Sequence, residues 1–211
     1  MNALTQLITR LTDRGPILHA DRPHWAATRN LEDLCARTVD WLEGRIQSQP
    51  GYYGPVDVDE DTAPGLTAAL TACNRAGFLT ADSQAGTIAP GYDRAGWVLH
   101  AAVTGYTSPA VWARIEAAVA GSRRFGAFAY PAHAGRGRRR QGVPVTFRQG
   151  RPVATYGRPL TASEVAFLYE GCGSAAVAEV VGALQVTVWD TEPGVNDLWG
   201  FLSSVLTSEE N

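Results

Sequence analysis

Two sets of residues in this 211-residue chain have the types and spacing for chemistry. The first is a run of guanidinium groups: Arg136, Arg138, Arg139 and Arg140 fall within five consecutive positions, and Arg148 and Arg151 follow soon after. Arginine presents a planar fork of donors that pairs two-pronged with phosphate or carboxylate, so such a run implies recognition of an anion. Between Glu116 and Glu164 the chain has nine arginines and no acidic residue, whereas the rest sets nine arginines against all 21 acids. The net charge of −3 conceals this split. Phe125, Phe128, Tyr130, Phe147 and Tyr156 interleave with the arginines and offer stacking surfaces beside them. The partners that fit are nucleic acid, a nucleotide or another phosphorylated ligand, or an acidic protein. Two other uses compete. The arginines can pair with the chain's own acids, such as Asp57, Asp59, Glu60 and Asp61, within a monomer or across a dimer, or they can reflect a coding preference for arginine over lysine.

The second set is Ser83, Gln84, Asp190 and Asp197, each just inside or beyond the end of an expected strand. In α/β sheets ligands sit outside the carboxyl ends of strands, and serine, amide and carboxylate side chains there suit a ribose or an amide. Asp190 and Asp197 have the types required of a carboxylate pair in nucleoside or glycosidic chemistry, where one acid is protonated and the other ionised. The same residue types also cap helices and make turns. These four residues are the catalytic candidates of a second reading, a small enzyme acting on a nucleoside-type or other polar metabolite.

Other chemistry is excluded. Lysine is absent from the whole chain, which removes a lysine Schiff base, a lysine general base and the P-loop lysine. The three cysteines, Cys35, Cys73 and Cys172, are odd in number and widely spaced, so they form neither a disulfide framework nor a zinc-ligand set. Cys172 sits in a Gly-Cys-Gly turn with no histidine motif directed at it. The sequence therefore implies no metal and no cofactor. It has no apolar run long enough to span a bilayer and no signal-peptide pattern over Met1 to Arg14, which implies a cytoplasmic protein without a membrane partner.

The elements that must position these residues follow from periodicity and punctuation. Residues 1–28 predict a short helix and an irregular arm. Asn30 caps a helix whose inward face is Leu31, Leu34, Cys35, Thr38, Leu42 and Ile46. A second helix carries Leu66, Ala69, Leu70 and Cys73 inward and stops at Gly77. Strands are expected over 78–81 and 97–103, a helix from Ser108 to Gly121, and a strand over 125–130. The ribbon 143–156 predicts a hairpin turning at Gln149-Gly150. Thr161 with Glu164 is a capping box, and Leu160 with Val165 a hydrophobic staple, opening a further helix. A short helix from Ser174, a strand over 184–189 and a helix over 196–206 close the chain.

This alternation predicts a single α/β domain over 29–211, with a mixed, mostly parallel sheet, helices on both faces and one inserted β-hairpin within a basic loop and hairpin region at 123–158. Three stretches, WLEGRIQSQPGYYGPVDVDEDT at 41–62, CNRAGFLTADSQAG at 73–86 and VTVWDTEPGVNDLW at 186–199, resemble an uncharacterised family of actinobacterial and actinophage proteins, a domain of unknown function also met on mobile elements. The resemblance spans roughly residues 25–205 and implies no activity. It adds one more reading, a phage–host conflict protein that binds another protein. The leading expectation remains a binding or interaction protein that engages an anionic partner through the arginine-rich loop.

Overall fold

A computed structural model describes residues 17, 20–50, 62–91, 95–135 and 141–207. The arginines at 136, 138, 139 and 140 lie outside the described residues, as do the expected first helix and the acids Asp57, Asp59, Glu60 and Asp61.

The chain forms α1 (Arg22–Ala26), α2 (Leu31–Leu42), α3 (Leu66–Arg75), β1 (Leu79–Gln84), β2 (Thr87–Pro90), β3 (Gly96–Leu99), β4 (Ala102–Thr107), α4 (Pro109–Ala120), β5 (Phe125–Pro131), β6 (Val143–Arg148), β7 (Arg151–Tyr156), α5 (Ala162–Leu168), α6 (Ser174–Gly182), β8 (Leu184–Asp190) and α7 (Asp197–Thr207). Local chemistry accounts for most of the boundaries. The Asn30 side chain accepts from Asp33 N at 2.7 Å at the start of α2, and the Ser108 hydroxyl caps α4 ahead of Pro109. Thr161 and Glu164 close a reciprocal capping box on α5. Gln149 and Gly150 both take positive φ between β6 and β7, the twist that a two-residue hairpin loop requires.

The strands build two four-stranded sheets, in the orders β1-β4-β8-β5 and β2-β3-β6-β7, and every pairing is antiparallel. This corrects the mostly parallel sheet expected from the sequence. The β4-α4-β5 unit does bring two strands into parallel alignment, but β8, the last strand in the chain, inserts between them and pairs antiparallel with both. A split unit of this kind leaves no parallel neighbours, and local periodicity is blind to a strand that arrives sixty residues later. The expected single strand over 97–103 is also two strands. His100 N donates to Val145 O in the second sheet, whereas Asp190 N donates to Ala101 O in the first, so the chain changes sheets between these residues. The short β2 carries no periodic signal and is visible only through its ladder with β3.

Alternation along the strands sorts the first sheet into two faces. Val103, Phe125, Ala127, Ala129, Val186 and Val188 join the main hydrophobic core with Ile115 of α4 and Leu198 and Leu202 of α7. On the opposite face Ala102 and Trp189 meet Val143, Val145 and Tyr156 of the hairpin in a smaller cluster. The second sheet thus covers part of the second face, and the end of α5 meets another part, where Tyr169 packs edge-on against Tyr106.

The stretches singled out in the sequence are clamps between elements. Asn74, 1 % exposed, donates to Leu70 O and to Thr80 Oγ1, both at 2.8 Å, and accepts from Thr80 N, fixing the end of α3 on β1. Gly77, with φ +83°, makes the turn between them. Asn196 holds the other pair of stretches together: its oxygen accepts from Gly86 N and Trp199 Nε1, and its amide nitrogen donates to Gly86 O and Thr62 O. A side chain at Gly86 would place Cβ 2.1 Å from Val195 O, so only glycine allows this approach. Asn196→Ala strands these groups and is expected to cost about 3 kcal/mol, read as a lower midpoint in urea unfolding at unchanged slope.

Candidate functional site

β1 and β8 both run antiparallel to β4 and are therefore parallel to each other across it, so their carboxyl ends lie at one end of the sheet. This brings Gln84 and Asp190 to a common end: Ala102 pairs with Gln84 on one side and with Trp189 on the other, and Asp190 N donates to Ala101 O. Thr107, at the end of β4, lies at the other end.

Asp190 is fully buried. Its two carboxylate oxygens each accept from Arg124 Nε at 3.1 Å, and Nη2 of the same guanidinium lies 3.0 Å from Oδ2. Oδ1 also accepts from Glu192 N at 2.9 Å. Arg124 Nη1 reaches Asp197, and Glu192 is the outermost carboxylate of the group at 3.9 Å. The hydrogen bonds that Arg124 donates to Asp190 are the main cause of its raised pKa, so this guanidinium is held as a permanent cation. Asp190 and Asp197 are thus gathered round one arginine.

Gln84 is joined to the same end through His100. Its Nε2 donates to His100 O at 2.8 Å and to Val145 O at 3.0 Å, and its Oε1 accepts from Thr146 Oγ1 at 2.8 Å. His100 Nδ1 lies 2.9 Å from Asp190 O, where it acts as donor. Ser83, half-buried on β1, aligns with Val103 and so faces the helix side, away from Gln84. Three of the four catalytic candidates therefore share one hydrogen-bonded chain, Gln84, His100, Asp190, Arg124, Asp197, which sequence spacing alone does not reveal because Arg124 and His100 carry no motif. This chain welds the two sheets together.

The arginines of the acid-free interval divide. Arg124 meets the chain's own acids, but among the described residues the exposed Arg123, Arg151 and Arg158 form no ion pair. Arg148 and Arg151 face each other across the β6–β7 ladder beside the turn. Arg148 stacks its guanidinium over Trp97 of β3, 5.3 Å from the ring centroid, in the same row of the sheet. Trp97 was not among the sequence candidates. Nothing in its neighbourhood along the chain marks it, because its partner lies on a strand fifty residues away.

Burial pushes the Cys35, Cys73 and Cys172 thiols each up to about 12, so at neutral pH they are un-ionised. Among the described residues no group of three or more His, Cys, Asp or Glu side chains is placed to hold a metal, and no helix is long and apolar enough to cross a membrane.

Two outcomes are expected. Arg124→Ala leaves a buried carboxylate without its counter-charge and costs about 3–5 kcal/mol, while Arg124→Met with Asp190→Leu recovers most of that loss in the same denaturation experiment. A further loss follows at alkaline pH. The folded cysteines hold their protons to about 12, above the unfolded value of 9.0, so their contribution is complete below pH 9 and declines as pH rises from there. Unfolding midpoints measured across that window fall, and less steeply with Cys73→Ala.

No curated protein matches the chain. A family model described as a domain of unknown function, DUF6919, matches residues 20–209. The chain belongs to that family of domains of unknown function.

Proposed function

We propose that this is a binding protein that engages an anionic partner, nucleic acid or a phosphorylated ligand, through the β6–β7 hairpin and the arginine run that leads into it. The observation that carries the reading is the cross-strand Arg148–Arg151 pair set against Trp97. Like charges directly opposite in an antiparallel ladder destabilise it by about 0.2–1 kcal/mol, and an anion held between them reverses the sign. Arg151 is exposed and makes no ion pair among the described residues. The acid-free interval supplies no carboxylate nearby in sequence, and Arg136, Arg138, Arg139 and Arg140 would add to the same positive field.

The indole under Arg148 supports the reading further, because stacking on the ring holds the guanidinium in a fixed plane beside the turn. Gln84, Asp190 and Asp197 favour binding over catalysis in a different way. Their hydrogen bonds are spent on holding the two sheets and α7 together. The free, protonated thiols are in keeping with a cytoplasmic setting.

The test is equilibrium binding of a labelled single-stranded oligonucleotide. Arg148→Ala with Arg151→Ala is expected to weaken it about tenfold or more, and Arg138→Ala, Arg139→Ala and Arg140→Ala together by a similar factor, without change in melting temperature. Unchanged affinity in both variants removes the reading.

A further inference from the structure

The face of the first sheet that bears Trp189 carries an aromatic shelf toward its edge strand, where Gly157 packs closely against the rim of the Phe128 ring. β5 is an edge strand, and Phe128 and Tyr130 stand on one face of it with ring centroids 5.1 Å apart. Trp189 of the adjacent β8 continues the row 5.7 Å from Phe128. Its indole lies over Gly126, where a Cβ would come within 2.2 Å of the ring. All three aromatic side chains are half-buried.

Behind the shelf is an unanswered acceptor. Gln185 sits in the ladder between Tyr106 and Tyr130. Exposure increases along that row, from 2 % at Tyr106 and 6 % at Gln185 to the half-buried Tyr130 at the edge. Gln185 Nε2 donates to Arg158 O at 3.2 Å, which fixes the amide's orientation, and its buried Oε1 has no hydrogen-bond partner among the described residues. An amide oxygen in such a place carries a desolvation cost until a donor meets it. The neighbouring hydroxyls do not serve: Thr104 and Thr187 are bonded to each other at 3.0 Å, with Thr104 also donating to Val186 O. Arg158, whose carbonyl is tied to that amide, presents an exposed side chain with no ion pair among the described residues.

A flat ring to stack on Phe128 and Tyr130, an N–H for Gln185 Oε1 and a negative charge for Arg158 describe one chemical class. We propose that this shelf is a base-binding subsite for a nucleotide unit: the heterocycle stacks on Tyr130 and Phe128, an exocyclic or ring N–H donates to Gln185 Oε1, and Arg158 meets the phosphate. The inference rests on the anionic-partner reading and narrows it, because it requires bases and not charge alone. An acidic protein has nothing to offer the buried acceptor in this way.

The test compares a labelled single strand with an abasic sugar–phosphate strand of the same length and charge, and both with the four nucleoside 5′-monophosphates. The base-bearing strand is expected to bind about tenfold tighter than the abasic one, the range that stacking of a base on an aromatic side chain supports. Tyr130→Ala and Gln185→Leu each abolish that difference, and Tyr130→Ala leaves abasic binding and the melting temperature unchanged. Leu removes the unpaired oxygen together with the hydrogen bond to Arg158 O, so Tyr130→Ala at the edge provides the independent reading. Monophosphates that bind with the same sensitivity to both variants assign the subsite to a free nucleotide, and monophosphates that do not bind assign it to a strand. Equal binding of intact and abasic strands overturns the subsite while leaving the anionic-partner reading in place. Binding of neither strand and of no monophosphate overturns both, and a base preference untouched by either substitution overturns the assignment to this shelf.

Discussion

The architecture depends on one buried charge. Asp190 ends the central strand β8 with no exposure to water, and a carboxylate in that position is tolerable only if a cation and further hydrogen bonds meet it. Arg124 does so from the start of β5, and the same guanidinium reaches the start of α7 through Asp197. The Asp190 carbonyl meets His100 at the passage between the two sheets. A single ion pair therefore fixes where β8 stops, where β5 begins, how the last helix leaves the sheet and where the second sheet is attached. Removing either partner exposes all four junctions at once, whereas removing both leaves a joint that apolar side chains can fill.

That pairing also sorts the arginines. Arg124 is consumed by the fold, although by composition it is indistinguishable from the other members of the acid-free interval. Arg151 and Arg158 have no such assignment among the described residues and stand on or beside the hairpin. They lie at opposite ends of β7, about 20 Å apart along an extended chain. Positive charge is therefore spread along one ribbon, a distribution that suits an extended anion such as a strand better than a compact one. The two sites proposed above sit near the two ends of that ribbon, Trp97 with Arg148 at one and the Tyr130 shelf with Arg158 at the other.

Legibility in the sequence followed the range of the interactions. Helix starts at Asn30, Ser108 and Thr161 were readable because a cap and the amide it satisfies lie three residues apart. The hairpin turn at Gln149-Gly150 was readable for the same reason. Sheet topology was not, because the insertion of β8 between β4 and β5 is settled by burial of Val186 and Val188 against helices from distant parts of the chain. The break at His100 was hidden inside an apolar run that alternation alone presents as one strand. Of the site residues, Gln84, Asp190 and Asp197 were legible as polar groups at strand ends, but their role as a joint required Arg124 and His100, which no motif announces. Trp97 and Gln185 were invisible for a related reason: a stacked guanidinium and an unpaired amide are properties of neighbours across the sheet. Asn74, Gly86 and Asn196, in the stretches singled out from the sequence, prove to be clamps that report on folding and not on the partner.

The account stands on phosphate-like charge being met by the hairpin arginines, and counterion release measures this directly. The dissociation constant of the protein for a single-stranded oligonucleotide, followed as monovalent salt is raised, should increase steeply, with a logarithmic slope of about 0.7 for each phosphate neutralised. Arg148→Ala with Arg151→Ala should lower that slope. A dissociation constant indifferent to salt would contradict the account.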